Sequence, residues 1–236
     1  STTEPPDFTE PPNTSEPPTT IFPSNTTELC NGEPFDAFTQ TSKYLTTAFR
    51  GNQVYEIGTD GVKEGFPKNI GKLWREAPTS IDAAVTISIK HKKTTYLIKG
   101  ERVWRYGHYR LLADNETTRD IWPEAPLQIS AAFALPDRGG ESDLLYLLED
   151  CRCHVYTVRG GVFIKIDVVY ICDLLPRVDA IDAAVAIHRR LFIFHHNVYY
   201  RVRVRNRSNF SLYPVPPVYP RPISLYWLGC PPQELF

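Results

Sequence analysis

The side chains best suited to chemistry in this chain are few and clustered. Cys151, Cys153, His154 and Cys172 could supply ligands to a metal ion, but their spacings match no zinc pattern. His195 and His196 are adjacent on an expected strand, where successive side chains point to opposite faces. They read as one core and one surface histidine rather than as a pair. No His-Glu-x-x-His, Gly-x-Ser-x-Gly or phosphate loop occurs, so the chain is expected to be non-catalytic. What remains is charge. Lys90-His91-Lys92-Lys93 and His188-Arg189-Arg190 form two short basic turns. Arg201, Arg203 and Arg205 alternate with Val202 and Val204, giving one basic strand face. Lys90, Lys92, Lys93, Arg189, Arg190 and these three arginines are candidates for binding a polyanion, either a glycosaminoglycan or an acidic matrix protein.

A repeated phrase must position these residues. It reads Phe35-Asp36-Ala37-Phe38, Ile81-Asp82-Ala83-Ala84-Val85, Ile129-Ser130-Ala131-Ala132-Phe133 and Ile181-Asp182-Ala183-Ala184-Val185, with steps of 46, 48 and 52 residues. A period near 50 across a chain signals a repeat architecture. Each phrase opens its unit as a short apolar strand. Second strands are expected at 44–50, 95–99, 144–149 and 191–195, and third strands at 53–57, 102–106, 154–158 and 198–204. Gly51-Asn52, Gly100 and His196-Asn197 suit the hairpins between them. An outer segment closes each unit. Trp74 and Trp122 each stand eight residues before the phrase's Asp or Ser, and Leu174 stands at that offset in the third repeat. Four such units make an all-β, four-bladed propeller, whose inner strands meet closely enough to require small side chains. The Ala-Ala pairs fit that demand. Blades two and four then face each other, so the turns at 90–93 and 188–190 are expected around one channel mouth.

Residues 1–29 are rich in Pro, Thr, Ser and Glu, with Glu-Pro-Pro three times over. They are expected to form a disordered stalk or hinge, because so little apolar surface cannot offset the entropy of ordering. The propeller is expected at 30–230, with blades about 30–80, 81–128, 129–180 and 181–230, followed by a short tail at 231–236. The formal net charge of -1 dictates neither nucleic acid nor another partner. No apolar run approaches the ~18 residues of a membrane helix. The chain begins at Ser1 and contains no Met, which reads as a processed product or a fragment. Asn13, Asn25, Asn115, Asn206 and Asn209 each open an N-glycosylation sequon and together point to a secreted, extracellular protein.

Cys30 and Cys230 flank the seam of such a ring. A bridge between them closes a loop of about 200 residues, contributes about 5 kcal/mol in the chain-entropy model, and implies an oxidising compartment. In the third repeat Cys172 can bridge to Cys151 or to Cys153. The odd cysteine is then free, or links two copies as a homodimer.

Cys30-Asn31-Gly32-Glu33-Pro34-Phe35-Asp36-Ala37, Ala48-Phe49-Arg50-Gly51, the Ile-Asp-Ala-Ala phrases and Trp227-Leu228-Gly229-Cys230 resemble a hemopexin-like four-bladed propeller across 30–230. The Trp-Leu-Gly-Cys ending and the Pro/Thr hinge are similar to the C-terminal half of a secreted matrix metalloproteinase. That resemblance implies docking of collagen and of tissue metalloproteinase inhibitors, with the catalytic zinc elsewhere. The Cys-Asn-Gly opening after a mucin-like stretch also resembles stand-alone matrix or adhesion proteins of the vitronectin or lubricin type. The family further implies calcium or sodium in a central channel, with chloride as another channel ion. The ligands would be main-chain carbonyls of Asp36, Asp82, Ser130 and Asp182, with a second ring at Phe38, Ala84, Ala132 and Ala184. A haem carrier is the third reading. The haem-binding design uses two propellers and linker histidines, whereas this chain has one propeller and a tail without histidine.

Overall fold

Apolar residues and β-branched alternation after each phrase do build antiparallel strands. In a computed structural model, residues 29–207 and 210–232 are described. The first blade holds β1 (Ala37–Ser42), β2 (Leu45–Arg50) and β3 (Gln53–Gly58), with two short outer pieces, β4 (Gly61–Val62) and β5 (Lys68–Asn69), both paired to β3. The second holds β6 (Ala83–Ile89), β7 (Lys92–Lys99), β8 (Arg102–Gly107) and β9 (Arg110–Thr117). The third holds β10 (Ala131–Leu135), β11 (Leu144–Glu149), β12 (Arg152–Arg159) and β13 (Val162–Tyr170). The fourth holds β14 (Ala183–Ile187), β15 (Arg190–His195) and β16 (Val198–Asn206), with short outer pieces β17 (Ser211–Leu212) and β18 (Arg221–Pro222). Inner strand β1 contacts β6 and β14, and β10 contacts the same two, which closes the ring. Most of the stretch expected to be a stalk, and most of the C-terminal tail, lie outside the described residues.

The alanines at the axis are buried, as close passage of four inner strands requires: Ala37, Ala83, Ala131 and Ala183 are all 1–2 % exposed. Phe38 breaks that pattern in the second position. Its ring stacks on Phe194, with centroids 3.9 Å apart, and tilts against Trp227, so it packs the seam between blades one and four. Cys30 and Cys230 are bonded across that seam.

Each blade closes with a short helical turn on the outer side. The first amide of that turn donates to a hairpin carbonyl: Ile70 to Asn52, Thr118 to Glu101, Ile171 to Cys151 and Ile223 to Asn197. Four residues on from each donor stand Trp74, Trp122, Leu175 and Trp227, all buried. The sequence offset had placed Leu174 at the Trp position. The structure puts Leu175 there and leaves Leu174 38 % exposed, because the third unit is one residue shorter between this site and its phrase.

Cys151 is bonded to Cys172, which resolves the choice left open with Cys153. Two disulfide-bonded sulfurs cannot serve as thiolate ligands, so the Cys151, Cys153, His154 and Cys172 metal site is overturned. Cys153 is free and fully buried, and burial pushes its thiol well above the usual range. The odd cysteine of the third repeat is thus Cys153, and its thiol lies inside the blade.

Candidate functional site

The phrase side chains have a local task. Asp36 Oδ2 accepts the Gly51 amide at 2.7 Å, Asp82 Oδ2 accepts that of Gly100 at 2.6 Å, and Asp182 Oδ2 accepts that of His196 at 2.6 Å. Ser130 Oγ does the same for Asp150 at 3.1 Å. Each donor is the first residue of the hairpin between the second and third strands, and each has a left-handed φ of 51 to 60°. A carboxylate or hydroxyl thus fixes a strained turn onto the start of the inner strand. Asp150 and His196 take this conformation without being glycine. The main chain of the phrase is anchored too, since Asp36, Asp82, Ser130 and Asp182 donate their own amides to the second strand at 2.8–3.0 Å.

These four residues come together at one channel mouth, in a depression also lined by Glu149 and Asp150. Burial pushes the Asp36 carboxyl above the usual carboxylate range. The Gly51 amide opposes that shift and the Asp82 charge adds to it. The donor set offered here is oxygen, which suits a hard cation such as calcium or sodium.

The opposite mouth is a cavity of about 280 Å³ lined by the second phrase positions, Phe38, Ala84, Ala132 and Ala184. Lys43, Lys93 and His188 line it from blades one, two and four. Thr39 Oγ1, Thr86 Oγ1 and Thr95 Oγ1 form a hydroxyl chain with 2.8 Å steps beside it. Blade three contributes Asp143, whose carboxyl burial raises, opposed by the Ser88 amide and the Lys93 charge. The two basic turns therefore do reach one face, and Lys43 joins them. Sequence reasoning missed Lys43 because the equivalent turn of the first repeat carries a single lysine beside Tyr44.

The other basic candidates divide. Arg189 and Arg205 share a groove between blades three and four with Arg138 and Arg207, neither of which sequence reasoning selected. Lys90 is bound to Glu141 at 2.9 Å, and its ammonium holds that carboxyl below the usual range. Lys92 turns into a separate depression with Arg105 and Glu116. Arg201 lies over the Tyr219 ring and Arg203 over the Tyr213 ring, at 5.6 and 5.5 Å. Arg190 pairs across the sheet with Arg203.

The histidines divide into one core and one surface side chain, as expected, but they do not point apart. His195 is mostly buried and His196 exposed, but their rings lie 4.1 Å apart. His196 sits in the left-handed turn, which ends the strand alternation. Both imidazoles approach Asp182, at 4.0 and 3.8 Å. Asn115 and Asn206 are exposed, whereas Asn13, Asn25 and Asn209 lie outside the described residues.

No family model matches the chain. Vitronectin from Oryctolagus cuniculus is 42% identical over 113 residues, which cover 46% of this chain and 23% of that protein. Vitronectin from Homo sapiens is 41% identical over 111 residues, again 46% of this chain and 23% of that protein. The match thus spans under a quarter of the length of these curated relatives. Among solved structures, the hemopexin fold protein CP4 from cow pea has a TM-score of 0.63 at 15% identity, covering 82% of this chain and 95% of that one. The seed albumin LS24 from Lathyrus sativus has a TM-score of 0.67 at 15% identity, covering 82% and 94%. This chain has the hemopexin-like four-bladed propeller fold.

Proposed function

We propose that this chain is an extracellular, non-catalytic docking module that binds acidic polymers of the matrix through its basic mouth. One observation carries the reading: Lys43, Lys93 and His188, from three different blades, line one cavity with a single carboxylate, Asp143, while Asp36, Asp82, Glu149, Asp150 and Asp182 gather at the other mouth. The adjoining groove with Arg138, Arg189, Arg205 and Arg207 extends the basic track beyond what a single anion would need. Spread cations on a rigid ring favour a long polyanion over a small one. The likeness to vitronectin favours the stand-alone matrix or adhesion reading over the metalloproteinase reading, to which collagen and inhibitor docking belong. Two disulfides fit an oxidising, secreted setting, and no described helix is long and apolar enough to cross a membrane.

At the acidic mouth the oxygen donors fit calcium or sodium. Carbonyls of Asp36, Asp82, Ser130 and Asp182 would hold the ion, with Phe38, Ala84, Ala132 and Ala184 for a second. Bound there, the ion would offset the mutual repulsion of the mouth carboxylates.

Chromatography on immobilised heparin tests the polyanion reading. Elution well above about 0.15 M salt is expected, with earlier elution for Lys93→Gln and Arg205→Gln. Elution at or below that salt would overturn it.

A further inference from the structure

The groove between blades three and four contains a residue that its four arginines do not explain. Asn206 lines it, between Arg205 and Arg207 at the end of β16. Arg205 and Asn206 are both exposed. Arg138 and Arg189 line the same groove from the turns that follow β10 and β14. The single carboxylate in the lining, Asp137, turns back over Gly140 of its own loop, so the groove presents cations. Asn206 opens the sequon Asn206-Arg207-Ser208. The neighbouring sequon, Asn209-Phe210-Ser211, has its middle residue buried against Tyr146, which draws that backbone toward the core. Asn206 stands instead at an exposed strand end, where a bulky adduct costs no packing. Asn115, also exposed, is on the outer strand of blade two, away from this groove.

We infer that Asn206 is an N-glycosylation site whose sugar closes the arginine groove, so that its occupancy sets how much of the basic face a polyanion can reach. The inference rests on the polyanion reading of that face. In the transfer step the carboxamide nitrogen of Asn206 attacks C1 of an oligosaccharide carried on a polyprenyl diphosphate. A C–N bond forms, the bond from C1 to the diphosphate oxygen breaks, and one amide proton leaves with the diphosphate. Because the linkage is made at the groove wall, the first sugars fill the cavity of about 340 Å³ that an incoming sulfate or carboxylate needs. Charge-assisted hydrogen bonds from guanidinium require contact at about 2.7–2.9 Å, and an interposed sugar prevents it. The mouth at the axis, with Lys93, is a separate cavity and stays open. The glycosylated form therefore binds through the mouth alone, and the bare form through mouth and groove together.

The full chain secreted from animal cells, mapped by peptide mass spectrometry and run on immobilised heparin, tests this. Asn206 is expected to carry the glycan. Asn206→Gln and Ser208→Ala each remove the sequon, and both are expected to elute later than the parent and to bind heparin about tenfold more tightly, as guanidinium contacts return. Asn115→Gln should elute close to the parent. Arg205→Gln should shift elution more in the Ser208→Ala protein than in the parent. A bare Asn206 in the secreted parent, or co-elution of a glycosylated parent with both sequon variants, overturns the inference and leaves the polyanion reading standing. Elution of every form at or below about 0.15 M salt overturns both.

Discussion

The Tyr200 hydroxyl donates to the Pro176 carbonyl at 2.9 Å, tying the third strand of blade four to the outer turn of blade three. Two equivalent bonds join the preceding blades, Tyr106 to the Arg75 carbonyl at 2.7 Å and Tyr156 to the Pro123 carbonyl at 2.9 Å. In each case the acceptor belongs to the residue after the buried Trp74, Trp122 or Leu175. These bonds link neighbouring blades through polar groups at the edge of an otherwise apolar interface. Removing one phenol oxygen leaves a carbonyl without that partner, so Tyr106→Phe, Tyr156→Phe and Tyr200→Phe should each cost about 1 kcal/mol. The sites are on different interfaces, so the triple variant should lose about 3 kcal/mol in denaturant melts. A triple variant as stable as the parent would show that the bonds contribute nothing.

The two disulfides should differ in weight. Cys30 and Cys230 are 200 residues apart and Cys151 and Cys172 are 21 apart. The chain-entropy model gives about 5 kcal/mol for the first and about 3 kcal/mol for the second. Blade four meets blade one through stacked aromatics, not through a shared strand, so the first bridge is the covalent closure of the ring. Paired Cys→Ser variants, unfolded in denaturant, are expected to follow that order, and the reverse order would refute it.

Acid should weaken blade three through His154. Both of its ring nitrogens are buried without a hydrogen-bond partner, and Glu149 is 3.9 Å away. Burial lowers its pKa from 6.5, the Lys165 and Arg152 charges lower it further, and Glu149 opposes them. The folded value is depressed, so this contribution to stability is complete above the unfolded pKa and is lost as pH falls through the folded one. The parent should therefore lose stability on acidification from about pH 6.5. His154→Gln should flatten that slope. An unchanged slope in unfolding measured from pH 7.5 to pH 5 would exclude His154 as the cause.

The ring was legible because its steric demand is written directly in residue type. Four strands at one axis need alanine, and Ala83-Ala84, Ala131-Ala132 and Ala183-Ala184 supply it. Closure at Cys30 and Cys230 followed from their position at the two ends of the repeat. Other features depend on backbone angles or on third-dimension neighbours. Leu175 was hidden by a one-residue deletion, because an offset counted back from Asp182 cannot detect it. The meeting of His195 and His196 comes from a left-handed turn at His196, where alternation stops. Arg138 and Arg207 enter the basic groove from a loop and a strand end that lack any repeat signature. Lys90 was selected together with Lys92 and Lys93, yet Glu141, 51 residues on, neutralises it.

The acidic mouth gives the sharpest separation between side-chain and main-chain roles. If carbonyls of the phrase hold calcium, the Asp82 carboxylate acts chiefly by accepting the Gly100 amide at 2.6 Å. Asp82→Asn keeps an oxygen for that amide and should bind calcium only several-fold more weakly, through the lost charge. A carboxylate ligand would instead make the same change abolish binding. Ser130→Asp adds a fourth carboxylate to the phrase ring beside Asp150 and Glu149. Without calcium it should lower the melting temperature by like-charge repulsion, and with calcium it should reverse sign and tighten binding. Calcium at about 100 times its dissociation constant should stabilise the parent by about 2.7 kcal/mol, and a chelator should remove that gain. Calorimetric titration with calcium chloride, alongside melting with and without chelator, measures all three. No calcium-dependent change in the parent, or an unaltered response in Ser130→Asp, would remove the hard-cation reading of this mouth.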